Sequence, residues 1–442
     1  MKRTQVTAVA GLALVVAASV AWRATTAQDG AYAFVDVTVL PMDTERRLEH
    51  QTVVVTGGRI SALGAAATVR VPDGATRIDG RGKFLMPGFA EMHAHLPNPT
   101  TAPAEVVERV LFLYIANGVT TARGMLGNPL HLALRDSIAR GRLLGPRLFV
   151  AGPALGGGAV PTPADGARMA REQRAAGYDH IKIQEGLSAE AYDSIVAAAR
   201  AAGIRFAGHV PDAVGVARVL AAGQATVDHF DNYAATLDAD GAVSDEEVAA
   251  LIGATKAAGA AVVPTMALWE TFRSTTPVDS LRQRPELRYV PPQWVDNWAT
   301  AVGTMRRNTT DPAAGERELE IRRRVLRAAA QGGVLILFGT DSPQLFSVPG
   351  FSIQREARAM AATGLTPFQI LAAGTRNVAD FYGARDDFGT VAPSQRADLI
   401  LLDADPLVDV ANLERRAGVM VAGRWLPEAE IRARLAEIAA AR

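Results

Sequence analysis

Between Phe84 and Asp341 the chain repeats one rhythm: a short apolar run, then an Ala- and Arg-rich stretch with helical spacing. Eight runs can be counted: Phe84 to His95, Val119 to Met125, Arg147 to Leu155, His180 to Gln184, Ile204 to Val210, Thr226 to Phe230, Ala261 to Met266 and Val334 to Asp341. Between them, amphipathic helices are expected at Ala104 to Ala116, at Ala189 to Ala202 behind the N-cap Ser188, and at Asp245 to Ala258, where Ser244 and Glu247 have capping-box spacing. Eight strand–helix units over about 290 residues fit an α/β fold of the (β/α)8 TIM-barrel type better than a doubly wound sheet. In such a barrel the chemistry sits at the C-terminal ends of the strands.

The chain ends read differently. Ala31 to Leu40, Gln51 to Thr56, Arg59 to Leu63 and Ala75 to Asp79 are short β-rich runs punctuated by turns, the pattern of a small antiparallel sheet. The tail GTVAPSQRADLILLDADP, from Gly389, is expected to complete that sheet before a last helix near Pro427 to Ala440. The expected division is therefore 28–84 and 385–426 for a small β domain built from both ends, 85–384 for the barrel and 427–442 for the closing helix. One connection, Leu268 to Gly332, is oversized and carries Trp269, Trp294 and Trp298 with Tyr289. It is expected either over the barrel mouth or as extra packing helices. The run Gly156-Gly157-Gly158 lacks the GK[ST] of a phosphate loop and reads as a flexible loop.

Composition narrows the chemistry. Apolar residues make up 49% and charged residues 21%, with a formal net charge of zero, so the basic footprint of a nucleic-acid binder is missing and a small-molecule partner is expected. Cysteine is absent, so any metal must be held by nitrogen and oxygen. Lys2-Arg3, an uncharged apolar stretch from Val6 to Val20 and a small residue at Ala27 have the layout of a signal peptide, residues 1–27, implying export to the periplasm or medium. No later segment is apolar enough to cross a membrane, and assembly into a homo-oligomer is left open.

Only seven histidines occur, and PGFAEMHAHL places two of them one residue apart. Strand side chains alternate, so His93 and His95 share a face and can converge on one cation. His209 closes IRFAGHV and His229 closes ATVDHF, again at strand ends. His50, His131 and His180 fall in a polar loop, a helix and a strand start, and are set aside. Lys182, in HIKIQEG, lies between Ile181 and Ile183 and is thereby committed to the barrel interior, where an unpaired ammonium is heavily penalised. Either a salt bridge to Glu91 or Asp341 neutralises it, or its free amine adds carbon dioxide and the carbamate bridges two metal ions. Asp341, in LILFGTDSP, ends the eighth run and can ligate a metal and accept a proton, or merely cap a helix.

Together His93-x-His95, Lys182, His209, His229 and Asp341 resemble the binuclear subtype of the amidohydrolase superfamily. The likeness extends to PG-x-x-E-x-H-x-H, GVTT at 118–121, GTD at 339–341 and ADLILLD at 397–403, and is nearest to the imidazolonepropionase-like and metal-dependent Xaa-Pro dipeptidase group. The resemblance implies a split β-sandwich around the barrel and two divalent metal ions. It puts His93, His95 and Asp341 on the buried ion, His209 and His229 on the outer one, and a CO2-derived carbamate on Lys182 between them. Zinc suits such a shell, as do manganese and iron. Glu91 stands where many members have Asp, and Gly124 where many of the peptidase group have an acidic residue, so their specificity does not transfer.

The implied reaction is hydrolysis of an amide C–N bond, in a dipeptide or N-acyl amino acid, by a hydroxide shared between the ions, with Asp341 carrying the proton to the leaving nitrogen. Tyr233 and Arg123 are candidates to orient a substrate carboxylate. A lactonase or phosphotriesterase would use the same centre. A mononuclear deaminase would not need the buried lysine, and an exported solute-binding protein would be expected to have two lobes rather than one barrel.

Overall fold

The computed structural model describes residues 30–99, 101–238, 242–307 and 312–441; the expected export segment lies outside the described residues. From the N-terminal side come β1 (Tyr32–Val39), β2 (Leu48–Thr56), β3 (Arg59–Ala65), β4 (Thr76–Asp79) and β5 (Phe84–Pro87). Then β6 (Phe89–Ala94), β7 (Val119–Gly124), β8 (Arg147–Val150), β9 (His180–Ile183), β10 (Arg205–Gly208), β11 (Thr226–Asp228) and β12 (Ala261–Val263) alternate with helices. The chain closes with β13 (Leu399–Leu402), β14 (Arg416–Val421) and β15 (Arg424–Pro427).

The alternating strands make two parallel sheets, β6-β7-β8 and β9-β10-β11-β12. Bridges from Ala151 to His180 and from Leu155 to Ile183 join β8 to β9. On the far side the eighth run is irregular: it meets β12 and β6 through isolated bridges, Val262–Ile336 and Ala94–Ser342, rather than a continuous ladder. Two further bonds tie it in, from Met92 N to Phe338 O (2.8 Å) and from His95 N to Ser342 O (2.8 Å). At its end Asp341 is left-handed (φ 60°), a conformation that an extended strand does not accommodate, so the run cannot continue as a strand past that point.

The two chain ends form a separate sheet in the order β15-β14-β13-β5-β1-β2-β3, with β4 beside β1. The sheet is mixed rather than antiparallel as expected, since β4 and β5 both run parallel to β1. Phe34, Val37, Val53, Val55, Leu85, Leu399 and Leu401 bury its core, where each large apolar side chain contributes roughly 1.5–3 kcal/mol. The first apolar run therefore divides. Pro87-Gly88 sends β5 into this sheet and β6 into the parallel one, and Gly88 lies so close to β7 that a Cβ would stand 2.0 Å from Thr120 Oγ1.

The helices follow their end signals. Ala104–Ala116 forms as expected, Ala189–Ala202 starts with Ser188 accepting from Ala191 N, and Asp245–Ala257 carries both bonds of the Ser244–Glu247 capping box. The last helix, Glu428–Ala440, packs Ile431, Leu435 and Ile438 among Phe112, Leu113 and Ile115. The oversized connection folds as Met266–Arg273, Val278–Leu281, a 3-10 turn at Pro285–Tyr289, Pro292–Arg307 and Pro312–Gly332. Gly157 belongs to a packed turn rather than a slack loop: a Cβ there would lie 2.1 Å from Gly186 O.

Candidate metal centre

Alternation along β6 turns His93 and His95 the same way, with ring centroids 5.6 Å apart, while Met92 joins an apolar cluster with Val263 and Leu337. The ring of His229 lies 4.4 Å from that of His93 and 4.9 Å from that of His209, and the rings of His93 and His209 are 6.5 Å apart. Asp341 sits among them. Its Oδ1 is 3.0 Å from His95 Nε2 and 3.6 Å from His93 Nε2, and its Oδ2 is 3.5 Å from His229 Nε2. Lys182 Nζ approaches His93 Nε2 to 3.3 Å. All six side chains singled out from the sequence as ligands thus meet at one place, although four different strands and the eighth run supply them.

Room for the lysine comes from Gly208, at φ 125°, where a Cβ would stand 2.8 Å from Lys182 Cδ. Lys182 is 1% exposed, and among the described residues no carboxylate lies within ion-pair distance of it. The salt bridge to Glu91 or Asp341 that would neutralise it is not formed. Glu91 is instead a buttress: it accepts from His93 N (3.0 Å), Thr340 N (2.8 Å) and Thr340 Oγ1 (2.6 Å).

A supporting layer orients the rings. His229 Nδ1 meets Thr265 Oγ1 at 2.7 Å and His209 Nδ1 meets Asp231 Oδ2 at 2.5 Å. His93 Nδ1 lies 2.9 Å from Asp228 Oδ2, but off hydrogen-bond alignment, so that contact is electrostatic. Asp228 is held in turn by Arg123 Nη2, 3.2 Å from each oxygen, and by Thr226 Oγ1 at 2.6 Å. Sequence reasoning missed Asp228, Asp231 and Thr265. The signal for two of them was the DHFD run at 228–231, which brackets His229 with carboxylates.

Two expected substrate contacts are corrected by their partners. Arg123 is 1% exposed and spends its guanidinium on Asp228, Thr226 and the carbonyl of Met92. Tyr233 is wholly buried, with its hydroxyl 2.6 Å from Thr255 Oγ1 on the helix Asp245–Ala257. Neither is free to bind a substrate carboxylate. The histidines set aside also have ordinary partners: Asp36 for His50, the carbonyl of Pro97 for His131 and Met125 Sδ for His180.

Burial sets the electrostatics. Desolvation holds His95 down to about 3 and His93 and His229 well below the usual imidazole range, so they present neutral rings, the ligating form. Burial likewise lowers Lys182 and raises Asp341 to about 7 and Glu91 to about 8. For Asp228 burial works against ionisation, but Arg123 and Lys182 outweigh it and hold the carboxyl below its ordinary value.

These groups fit a divalent cation. Asp341 Oδ1 is buried and no hydrogen bond reaches it, and neutral imidazole lone pairs surround it, an N/O donor set of the kind zinc and its neighbours accept. Two clusters have ligand atoms all within 4.8 Å: His93, His229 and Asp341, and Glu185, His209 and Asp231. This grouping differs from the implied partition, which pairs His229 with His209. His229 stands between the two groups, its ring 4.4 Å from that of His93 and 4.9 Å from that of His209, so it is within reach of either ion.

Beside the second cluster opens a cavity of about 960 Å3, walled by Glu185, Asp212 and Asp231 on one side and by Trp269, Arg273 and Arg322 of the long connection on the other. The connection therefore borders the centre through Trp269, while Trp298 packs against Phe346 (6.1 Å). Arg322 is the joint between them: its Cζ stands 3.2 Å over the Trp269 ring, it pairs with Glu318 at 2.7 Å, and it donates to the carbonyl of His229.

Residues 84–426 match the Amidohydrolase family. The chain belongs to that family. Among solved structures it is similar to one from Bifidobacterium longum put forward as a prolidase, at 26% identity and TM-score 0.70, over 93% of this chain and 99% of that one. It is also similar to the bottromycin amidohydrolase, at 25% identity and TM-score 0.72, over 93% and 90%. An adenine deaminase from Rubrobacter xylanophilus is 25% identical over 413 residues, 89% of this chain and 58% of the deaminase. The chain spans a little over half the length of the curated relatives it matches. Amidohydrolase membership implies that the two parallel sheets and the eighth run are one (β/α)8 barrel.

Proposed function

We propose that the protein is a binuclear metal-dependent amidohydrolase that cleaves a C–N bond in a small substrate, a dipeptide or an N-acyl amino acid. The observation that carries this reading is Lys182, buried with no carboxylate in ion-pair contact among the described residues and 3.3 Å from His93 Nε2. An ammonium there would have only longer-range attraction to Asp228, Asp341 and Asp231 to set against its burial, whereas a carbamate on that nitrogen would be a ligand between two cations. A prolidase-like neighbour at 26% identity supports the dipeptide class.

His93, His95, Asp341 and the carbamate of Lys182 would hold one ion, and His209, His229 and the same carbamate the other, with zinc the expected metal. Bound there, the ions would supply an acidified water and a Lewis acid for the scissile carbonyl. The remaining work belongs to the chain. Asp341, whose carboxylate touches three of the four rings, takes the proton of the attacking water and delivers it to the leaving nitrogen. Thr265 and Asp231 fix the ring planes of His229 and His209. The cavity of about 960 Å3 seats the substrate against Trp269.

Elemental analysis of the purified protein, followed by matched dipeptide, N-acyl amino acid, lactone and phosphotriester substrates, tests the reading. Two metal equivalents with turnover of the amides are expected. One equivalent per chain, or turnover confined to lactones or phosphotriesters, would overturn it.

A further inference from the structure

A second cavity, of about 390 Å3, shares no lining residue with the one beside the centre. It lies where the turn Pro285–Tyr289, the helix Ser352–Ala362 and the start of β14 come together. Two buried polar side chains line it without adequate partners. Gln354 is 6% exposed, and neither its Oε1 nor its Nε2 has a hydrogen bond. Arg416 is 9% exposed and its Nε is unpaired; its one hydrogen bond runs from Nη1 to the carbonyl of Leu413 at 3.2 Å, and it has no ion pair among the described residues.

Leaving such groups desolvated and unmatched costs about 1–3 kcal/mol each, more for a charge. Native proteins seldom carry that cost without a ligand or water to meet it. The charges around the cavity point to the sign of the occupant. Arg355 and Arg358 are matched by Glu286 and Glu414, whereas among the described residues no carboxylate forms an ion pair with Arg416 or with the rim residue Arg288. Tyr289 and Phe351, stacked at 4.8 Å and 13°, make an apolar wall.

We propose that this cavity binds a small organic carboxylate with an apolar body. The carboxylate would take the free Nε of Arg416 and the amide of Gln354, and the body would lie on the Tyr289–Phe351 pair. A more highly charged anion such as phosphate is disfavoured by Glu286 and Glu414 in the same walls.

Calorimetric titration of the metal-loaded protein with benzoate, with sulfate as the comparison anion, tests this. Saturable benzoate binding is expected, weakened at least about tenfold in Gln354→Met and in Arg416→Lys, and kept in Asp341→Asn, where the candidate centre alone is altered. Gln354→Met keeps the test alive if the arginine variant fails to fold. Binding that vanishes in Asp341→Asn but survives in Gln354→Met would place the anion at the metal centre and overturn the proposal. No saturable binding, or sulfate bound as tightly as benzoate, would overturn it as well.

Discussion

Around His93 most side chains are sealed: His93, Lys182, His229 and Asp341 are at most 3% exposed, and only the His95 side chain, at 24%, reaches toward the mouth. Around His209, 6.5 Å away ring to ring, the wall opens: the side chains of His209, Asp231 and Glu185 are 19%, 12% and 46% exposed, and a cavity begins there. The sealed side holds a lysine with no carboxylate within ion-pair distance among the described residues, the open side a histidine with a surplus of carboxylates. Burial explains the contrast, since a desolvated site strengthens each electrostatic contact and must be balanced atom by atom, whereas water screens the open one. The sealed side is thus fitted to hold the reacting groups still, and the open side to admit and release what reacts.

That contrast can be broken experimentally, and the largest effect belongs to the sealed side. Asp341→Asn should lower kcat by about 10²–10⁴, the usual worth of a placed acid–base group, with the metal content followed by elemental analysis. Full turnover with metal bound would remove its role as proton carrier. Lys182→Ala should lower bound metal and turnover together, with partial recovery on adding a short carboxylic acid to replace the lost oxygens. In the unaltered protein, mass spectrometry under native conditions should show Lys182 heavier by one carbon dioxide.

On the open side the effects should be smaller. Asp231→Asn leaves His209 in place but removes the carboxylate that orients it, and should weaken one metal equivalent by about 10–100-fold, read by titration against a chelator. Equal loss of both equivalents would erase the distinction between the two sides.

The smallest effect is on stability. Glu356 is wholly buried, accepting from Met266 N and Ala267 N at 2.9 and 2.8 Å, and burial pushes its carboxyl up to about 8. The folded chain therefore keeps a proton that the unfolded chain releases above its ordinary carboxyl range. Glu356 adds stability that is complete below about pH 4.5 and is lost as pH rises toward 8. The melting temperature should fall across that window, and Glu356→Gln should flatten part of the slope.

Much of this was legible in the sequence because it rests on short-range periodicity. Alternation along one strand put His93 and His95 on a common face, and the flanking Ile181 and Ile183 forced Lys182 inward. Ser188 and the Ser244–Glu247 pair announced their helices. The misses share a physical origin, since they depend on partners far along the chain. Arg123 looks like an available guanidinium until Asp228, 105 residues on, takes it. Tyr233 looks poised beside His229 until Thr255, 22 residues later, captures its hydroxyl. The eighth run was counted with the other seven, and the left-handed conformation of Asp341 at its end leaves no mark in hydropathy.

The hinge-free junction at Pro87-Gly88 has a practical corollary. Only four residues separate the last position of this strand of the terminal sheet, Pro87, from Met92, and the next side chain is the first imidazole. Anyone trimming, tagging or swapping the chain ends of this protein would be pulling on a cord tied directly to its reactive centre.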